Sequence, residues 1–335
     1  MPTKLSFHRK ESRIENNKQF FIMYKPKFIL AAVAAMIMWS QASAQDAANE
    51  ALPFLRIDRN PATAAMGFAG AASTSSIAYS AFTNAAVIPF WDGKFDAGVS
   101  FQNWAPDGVK STNFSGGVGF KAADYLGFSV GFAMQKGEKY DEMDINGAYL
   151  GKYTPKDMII TGGVGVKITD ILGVGLNLRY ARQALASDAK HSTIAGDLMV
   201  YYKPIENLGL TAGVASLGTA IKGGDHKMYD IPASIKVAGE YTAALTEEHS
   251  VKGDLDLDYF IYGKKFCAAL GGEYSYKNML FARAGYHLGS DEAVLPSFAT
   301  FGVGVKYAGV RLDLGYLTAN KVIGNTITVG LGYSF

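Results

Sequence analysis

The most regularly spaced run of ionisable side chains is Lys252-x-Asp254-x-Asp256-x-Asp258, one ammonium and three carboxylates at every second position. Carboxylates so spaced could hold calcium, provided that they lie on a tightly turning loop with glycine at the sixth position. Here the sixth position is Tyr259, and Val251, Leu255 and Leu257 alternate with the charges. That is one face of an extended strand, not a loop. Similar alternation puts Lys236 and Glu240, Glu273, Arg283 and His287, and Arg311 and Asp313 on the polar faces of other segments. Together they can form a cross-strand ion-pair network, or they can line the path of a ligand or ion. The five histidines are scattered and none has the spacing of a metal site. Gly162-Gly163-Val164-Gly165 leads into no helix and so makes no phosphate loop. No nucleophile elbow, a sharp strand-to-helix turn with the serine at its tip, supports a nucleophilic serine. The reading is of a protein with no catalytic residue, no metal and no cofactor, and not of an enzyme.

The elements that must position these residues alternate strictly. Ile327 to Phe335 places Ile, Val, Leu, Tyr and Phe on one face and Thr, Gly, Gly and Ser on the other. One apolar and one small or polar face is what a barrel wall needs between lipid and lumen. Period-two alternation marks fourteen such segments, at about 95–104, 111–121, 126–135, 157–168, 172–183, 193–203, 208–216, 234–242, 249–259, 265–276, 279–289, 298–307, 310–319 and 326–335. With the first strand running outward, the connections at one end are short. Those at the other include the longer stretches Lys136 to Lys156 and Leu217 to Ala233. The fold class is therefore all-β: a transmembrane antiparallel β-barrel of about 14 strands over residues 94–335. A soluble sandwich also alternates, but it would not turn Phe, Val, Leu and Tyr outward on every strand.

The first 44 residues read as a leader. Residues 1–22 are polar and charged, as in a misassigned upstream start. Residues 23–44 hold a basic stretch, an apolar run from Phe28 to Trp39, and Ala42-Ser43-Ala44, implying cleavage after Ala44. The apolar run is too short to span as a helix, which takes about 20 residues. The leader carries seven of the 32 Lys/Arg and two of the 30 Asp/Glu, so the remainder stands at 25 against 28 and a net charge of −3. That gives no electrostatic case for nucleic acid. The single cysteine, Cys267, cannot form an internal disulfide. These features point to the outer membrane of a Gram-negative bacterium, with outer-membrane lipid around the wall and Tyr333 and Phe335 as the barrel-insertion signal.

Inner faces are small: Gly127, Ser129, Gly131 and Ala133 on one strand, Gly173, Gly175, Asn177, Arg179 and Ala181 on another. Such faces suit close approach by a second backbone. The candidate occupant is the non-alternating stretch 45–93, read as an N-terminal plug, with a periplasmic tail as the alternative. Within it Asn60-Pro61 can open a short helix through Met66, which Gly67 ends.

The run Phe54-Leu55-Arg56-Ile57, followed by Ala64-Ala65-Met66-Gly67-Phe68-Ala69-Gly70-Ala71-Ala72, resembles the N-terminal signature of the PorV/PorQ family, relatives of the FadL-type channels. Asn84-Ala85-Ala86 stands where that family has Asn-Pro-Ala. The resemblance implies fourteen strands around an N-terminal hatch, and an accessory or scaffold subunit of a protein secretion or envelope assembly complex, partnered by other envelope proteins. The alternative is a FadL-like channel for uptake of small hydrophobic solutes. Short outward loops favour the scaffold. The loop with Tyr140, Met143, Tyr149 and Tyr153 then offers anchors of the kind enriched at interfaces.

Overall fold

Strand formation here follows from what surrounds the chain. In lipid every backbone N–H and C=O needs a partner within the protein, and a closed sheet supplies one without leaving an edge. The computed structural model describes residues 51–104, 110–144, 146–222, 228–289, 295–318 and 324–335. The leader, residues 45–50 of the plug stretch and residues 223–227 of the outward loop lie outside the described residues.

Eighteen strands follow one another among the described residues. They are β1 (Phe95–Trp104), β2 (Ser111–Ala123), β3 (Leu126–Lys136), β4 (Tyr140–Met143), β5 (Tyr149–Tyr153), β6 (Lys156–Thr169), β7 (Leu172–Ala184), β8 (Lys190–Ile205) and β9 (Leu208–Gly218). The rest are β10 (Ile221–Lys222), β11 (Met228–Tyr229), β12 (Ser234–Ala244), β13 (His249–Phe260), β14 (Lys265–Tyr276), β15 (Leu280–Leu288), β16 (Phe298–Tyr307), β17 (Val310–Leu317) and β18 (Thr326–Ser334). Fourteen of them close into one antiparallel barrel, and each corresponds to a segment read from alternation. The other four form two small hairpins, β4–β5 and β10–β11, in the outward connections. Alternation did not reveal those hairpins, because strands this short leave too few residues for a period.

Closure is made by β1 against β18, in register from Asp96 opposite Ser334 to Asn103 opposite Ile327. Beyond that register the Phe335 amide donates to the Phe95 carbonyl at 3.0 Å, and the two rings stack at 5.3 Å. Turns at the end that holds Phe335 are tight. Ala308 and Gly309 both take positive φ (49° and 83°), the conformation that joins twisted strands through two residues.

Outward positions such as Val130, Ile194 and Leu270 are exposed, whereas the inward positions beside them are buried. An apolar outer belt of this kind is stable only against lipid. The interior core is therefore not sheet against sheet. It is wall against the N-terminal segment, which is built from a turn at Pro53–Arg56, one helical turn at Pro61–Ala64, and further turns at Ser80–Phe82 and Ala85–Phe90.

Candidate functional site

The N-terminal segment lies inside the barrel. Its polar backbone is taken up by inward side chains from around the wall. Thr300 of β16 accepts from the Gly67 amide at 2.8 Å, Asn177 of β7 donates to the Ser80 carbonyl at 3.0 Å, and Ser100 of β1 donates to the Arg59 carbonyl at 2.7 Å. Two carboxylates act as clamps. Asp256 accepts from the amides of Gly70 (3.0 Å) and Ala71 (3.1 Å). Asp96, fully buried, accepts with one oxygen from the Ser76 hydroxyl (2.6 Å) and the amides of Ile77 (2.8 Å) and Ala78 (3.0 Å). Hydrogen bonds to a charged acceptor are the strong ones, so these clamps fix the run Gly70 to Ala78 at both ends.

The glycines of the wall explain themselves at this contact. A methyl group on Gly175 would overlap the backbone of Ala86, one on Gly165 the carbonyl of Ala85, and one on Gly285 the backbone of Met66. Small inner faces thus mark where a second backbone lies against the sheet, as the sequence led one to expect. The local helix chemistry also holds, in shorter form. Asn60 caps the turn by accepting from the Ala62 amide at 3.1 Å, but the helix stops at Ala64 instead of Met66. Asn84 caps the next turn through Ala86 (2.9 Å) without a proline at 85, while its amide donates to the Ala71 carbonyl (2.9 Å) and the Thr211 hydroxyl (2.8 Å).

The charged side chains form an arc. Lys252 lies 3.5 Å from both Glu240 and Glu273; Arg283 binds Glu273 and Asp313, each at 2.6 Å; and Arg311 meets Asp313 at 3.0 Å and Asp96 at 3.8 Å. The arc thus runs from β12 through β15 and β17 to β1, and it reaches the plug where Lys252 donates to Ser75 (2.9 Å) and Arg311 to Ser76 (3.0 Å). A separate pair stands towards the loop end: Lys236 with Asp258 at 2.6 Å and with Asp256 at 3.7 Å. The sequence suggested that the three aspartates oppose Lys236, Arg283 and Arg311. Asp256 and Asp258 do face Lys236, whereas Arg283 and Arg311 are held by Glu273, Asp313 and Asp96. Asp254, 1% exposed, has no hydrogen-bond partner on either oxygen and sits in register with Glu240. Register decides this: β13 brings Asp254 to a carboxylate on one side and to Gly271 on the other.

His287 turns into the upper lumen. Its Nδ1 lies 3.2 Å from the Gly67 carbonyl, and its ring stacks on Phe298 with centroids 4.9 Å apart. In the plug, burial pushes the Asp58 carboxyl up to about 6 and the Arg59 guanidinium down to about 10. Asp96, the Arg179–Asp197 pair on the opposite wall and the cap Asn84 were missed as site residues in the sequence. Alternation places Asp96, Arg179 and Asp197 inward, but what they hold depends on where the plug runs.

Tyr140, Met143, Tyr149 and Tyr153 come together on the β4–β5 hairpin, Tyr140 opposite Tyr153 and Met143 opposite Tyr149. Tyr140 is tied down, its hydroxyl donating to the Leu185 carbonyl at 2.7 Å, while Met143 (62%) and Tyr149 (60%) stand free in the exposed part of the hairpin.

Between plug and wall lies a cavity of about 750 Å³. Its lining includes Phe68, Phe260, Leu295 and His287 towards the loop end, Ser75, Lys252, Glu240 and Arg311 midway, and Trp91, Gly309 and Phe335 at the tight-turn end.

No family model matches the sequence, and no curated protein is similar to it. Solved structures do share the fold. The Pseudomonas putida toluene transporter TodX aligns over 82% of this chain and 98% of its own, at 15% identity and a TM-score of 0.58. The monoaromatic hydrocarbon channel CymD aligns over 82% of this chain and 97% of its own, at 13% identity and a TM-score of 0.58. One is a transporter and the other a channel, and the chain shares their fold, here a closed 14-strand barrel.

Proposed function

We propose that the protein is an outer-membrane channel through which small hydrophobic solutes pass. One observation carries the reading: the plug leaves space beside it within the lumen. The cavity beside the plug has lining residues from Leu295 and Phe260 near the loop end to Phe335 at the opposite end. Its loop-end portion sets Phe68, Phe260 and Leu295 beside the Lys236–Asp258 pair, so it offers apolar surface to a solute leaving water. The shared fold with TodX and CymD supports this reading over the scaffold role drawn from the PorV/PorQ resemblance. The leader, cleaved after Ala44, and the terminal Tyr333 and Phe335 are the export and insertion signals in this proposal.

The test is uptake of naphthalene by cells that make the protein, compared with cells that lack it. Faster entry supports the channel, and equal entry overturns it. One observation favours the scaffold as a second reading: Met143 and Tyr149, opposite each other on the β4–β5 hairpin, are both largely exposed. Replacing both with serine should then reduce recovery of a partner envelope protein while leaving uptake unchanged. Unchanged recovery removes the scaffold.

A further inference from the structure

At the loop-end part of the cavity, beside the Lys236–Asp258 pair, His287 carries a polar atom that the fold leaves unmatched. His287 approaches the Gly67 carbonyl through Nδ1 at 3.2 Å. A carbonyl only accepts, so the proton of the neutral ring is on Nδ1 and the Nε2 lone pair is the acceptor. Nε2 is buried and has no hydrogen-bond partner. Around it the walls are aromatic. The ring stacks on Phe298 at 4.9 Å, and Phe68 closes on His287 at 5.7 Å and on Phe298 at 5.2 Å. Phe68, His287, Leu295 and Phe260 all line the cavity.

Resting on the channel reading above, we infer that His287 selects neutral aromatic solutes that carry a hydroxyl group, with the O–H donating to Nε2 and the ring lying among Phe68, Phe298 and Leu295. The chemistry narrows the class. A plain hydrocarbon leaves the acceptor unmet, and an unmet buried acceptor is costly. A carboxylate anion brings no proton to donate. A metal ion needs further donors, and among the described residues no three His, Cys, Asp or Glu side chains are grouped to hold one. A site built around a hydrogen bond discriminates against the analogue that lacks it, whereas a purely apolar pocket hardly distinguishes the two.

The experiment uses the full-length protein in lipid nanodiscs, with empty discs as the blank, and follows binding of 1-naphthol and of naphthalene by fluorescence. Wild type should bind 1-naphthol roughly tenfold more tightly than naphthalene after subtraction of the blank. His287→Phe should bring the ratio close to one while naphthalene binding persists, and His287→Gln, which keeps an acceptor, should restore part of it. A ratio near one in wild type, or an undiminished preference in His287→Phe, overturns the inference and leaves the channel reading standing. If wild type binds neither compound, the inference fails; naphthalene uptake by cells then decides the channel reading separately. The wild-type ratio alone is decisive should His287→Phe fail to fold.

Discussion

Arg283 on β15 reaches Asp313 on β17, at 2.6 Å, across the face of the intervening strand β16. The crossing is open because β16 presents Gly304 there. A Cβ on Gly304 would stand 2.6 Å from the Asp313 oxygen and 2.8 Å from Arg283 Nη1. Glycine in the wall therefore serves two purposes: it admits the plug at Gly175 and Gly285, and it lets an ion pair skip a strand at Gly304.

Gly304→Val should accordingly part Arg283 from Asp313 while leaving the β15–β16–β17 ladder paired. Separating a buried pair costs about 3–5 kcal/mol when nothing replaces it. Arg283 keeps Glu273 at 2.6 Å and Asp313 keeps Arg311 at 3.0 Å, so the expected loss is smaller, about 1–2 kcal/mol. The heat-induced mobility shift on a semi-native gel should move to lower temperature, and an unchanged shift would show that the pair contributes nothing.

Gly175→Val tests the plug directly, because its side chain would enter the backbone of Ala86. Overpacking of this kind costs about 1–3 kcal/mol, and here the plug can relieve it by moving away. Planar-bilayer recordings should show little steady current for wild type and a clear increase for the variant. Equal currents would mean that the turn Ala85–Phe90 does not obstruct conduction.

Asp96 and Asp254 should respond in opposite directions. Asp96→Ala leaves the amides of Ile77 and Ala78 without their acceptor, at about 1–3 kcal/mol for each buried group. Asp254→Asn removes a buried charge that no hydrogen bond compensates, so it should raise the unfolding temperature. A drop in stability for Asp254→Asn would show that attraction to the nearby Lys252 outweighs the cost of burying the carboxylate.

Asp58 predicts a pH dependence of plug docking. Burial, opposed by the hydrogen bonds from Thr63 and Asn60, lifts its carboxyl from 3.8 to about 6. Between those values the folded protein holds a proton that the unfolded chain releases. This contribution to stability is therefore complete below about pH 4 and is lost as pH rises through about 6. Comparing unfolding temperatures of wild type and Asp58→Asn from pH 3.5 to 7 isolates it, since other titrations are common to both. Parallel profiles would rule it out.

Removing Tyr333 to Phe335 should prevent barrel closure. Ala97 pairs with Tyr333, Asp96 pairs with Ser334, and the Phe335 carbonyl accepts from the amides of Lys94 (2.8 Å) and Phe95 (3.0 Å). Without them Phe95 to Ala97 at the start of β1 become an unpaired edge, which lipid cannot satisfy. The truncated chain should remain protease-sensitive and absent from the outer-membrane fraction; normal levels there would contradict the role assigned to these residues.

The wall of this protein was legible in its sequence. A membrane barrel repeats one constraint on every strand, apolar outward and small or polar inward, so Val130, Ile194 and Leu270 and the glycines opposite them declare their faces by alternation alone. The presence of an inner occupant was legible too, because inner faces as small as Gly173 and Gly175 are poor barrel fillers by themselves. Its contacts were not. The plug has no period, so only the folded chain shows that Gly70, Ala71, Ile77 and Ala78 present their amides to Asp256 and Asp96. Ion partners were equally hidden. Side chains on one face are known from spacing, but the partner of each is set by cross-strand register, which depends on turn lengths and on closure between the first and last strands. Register is why Arg283 belongs to Glu273 and Asp313 instead of to the aspartates of β13, and why Asp254 faces Glu240. The cavity and the unmatched nitrogen of His287 exist only once the plug and the wall lie side by side.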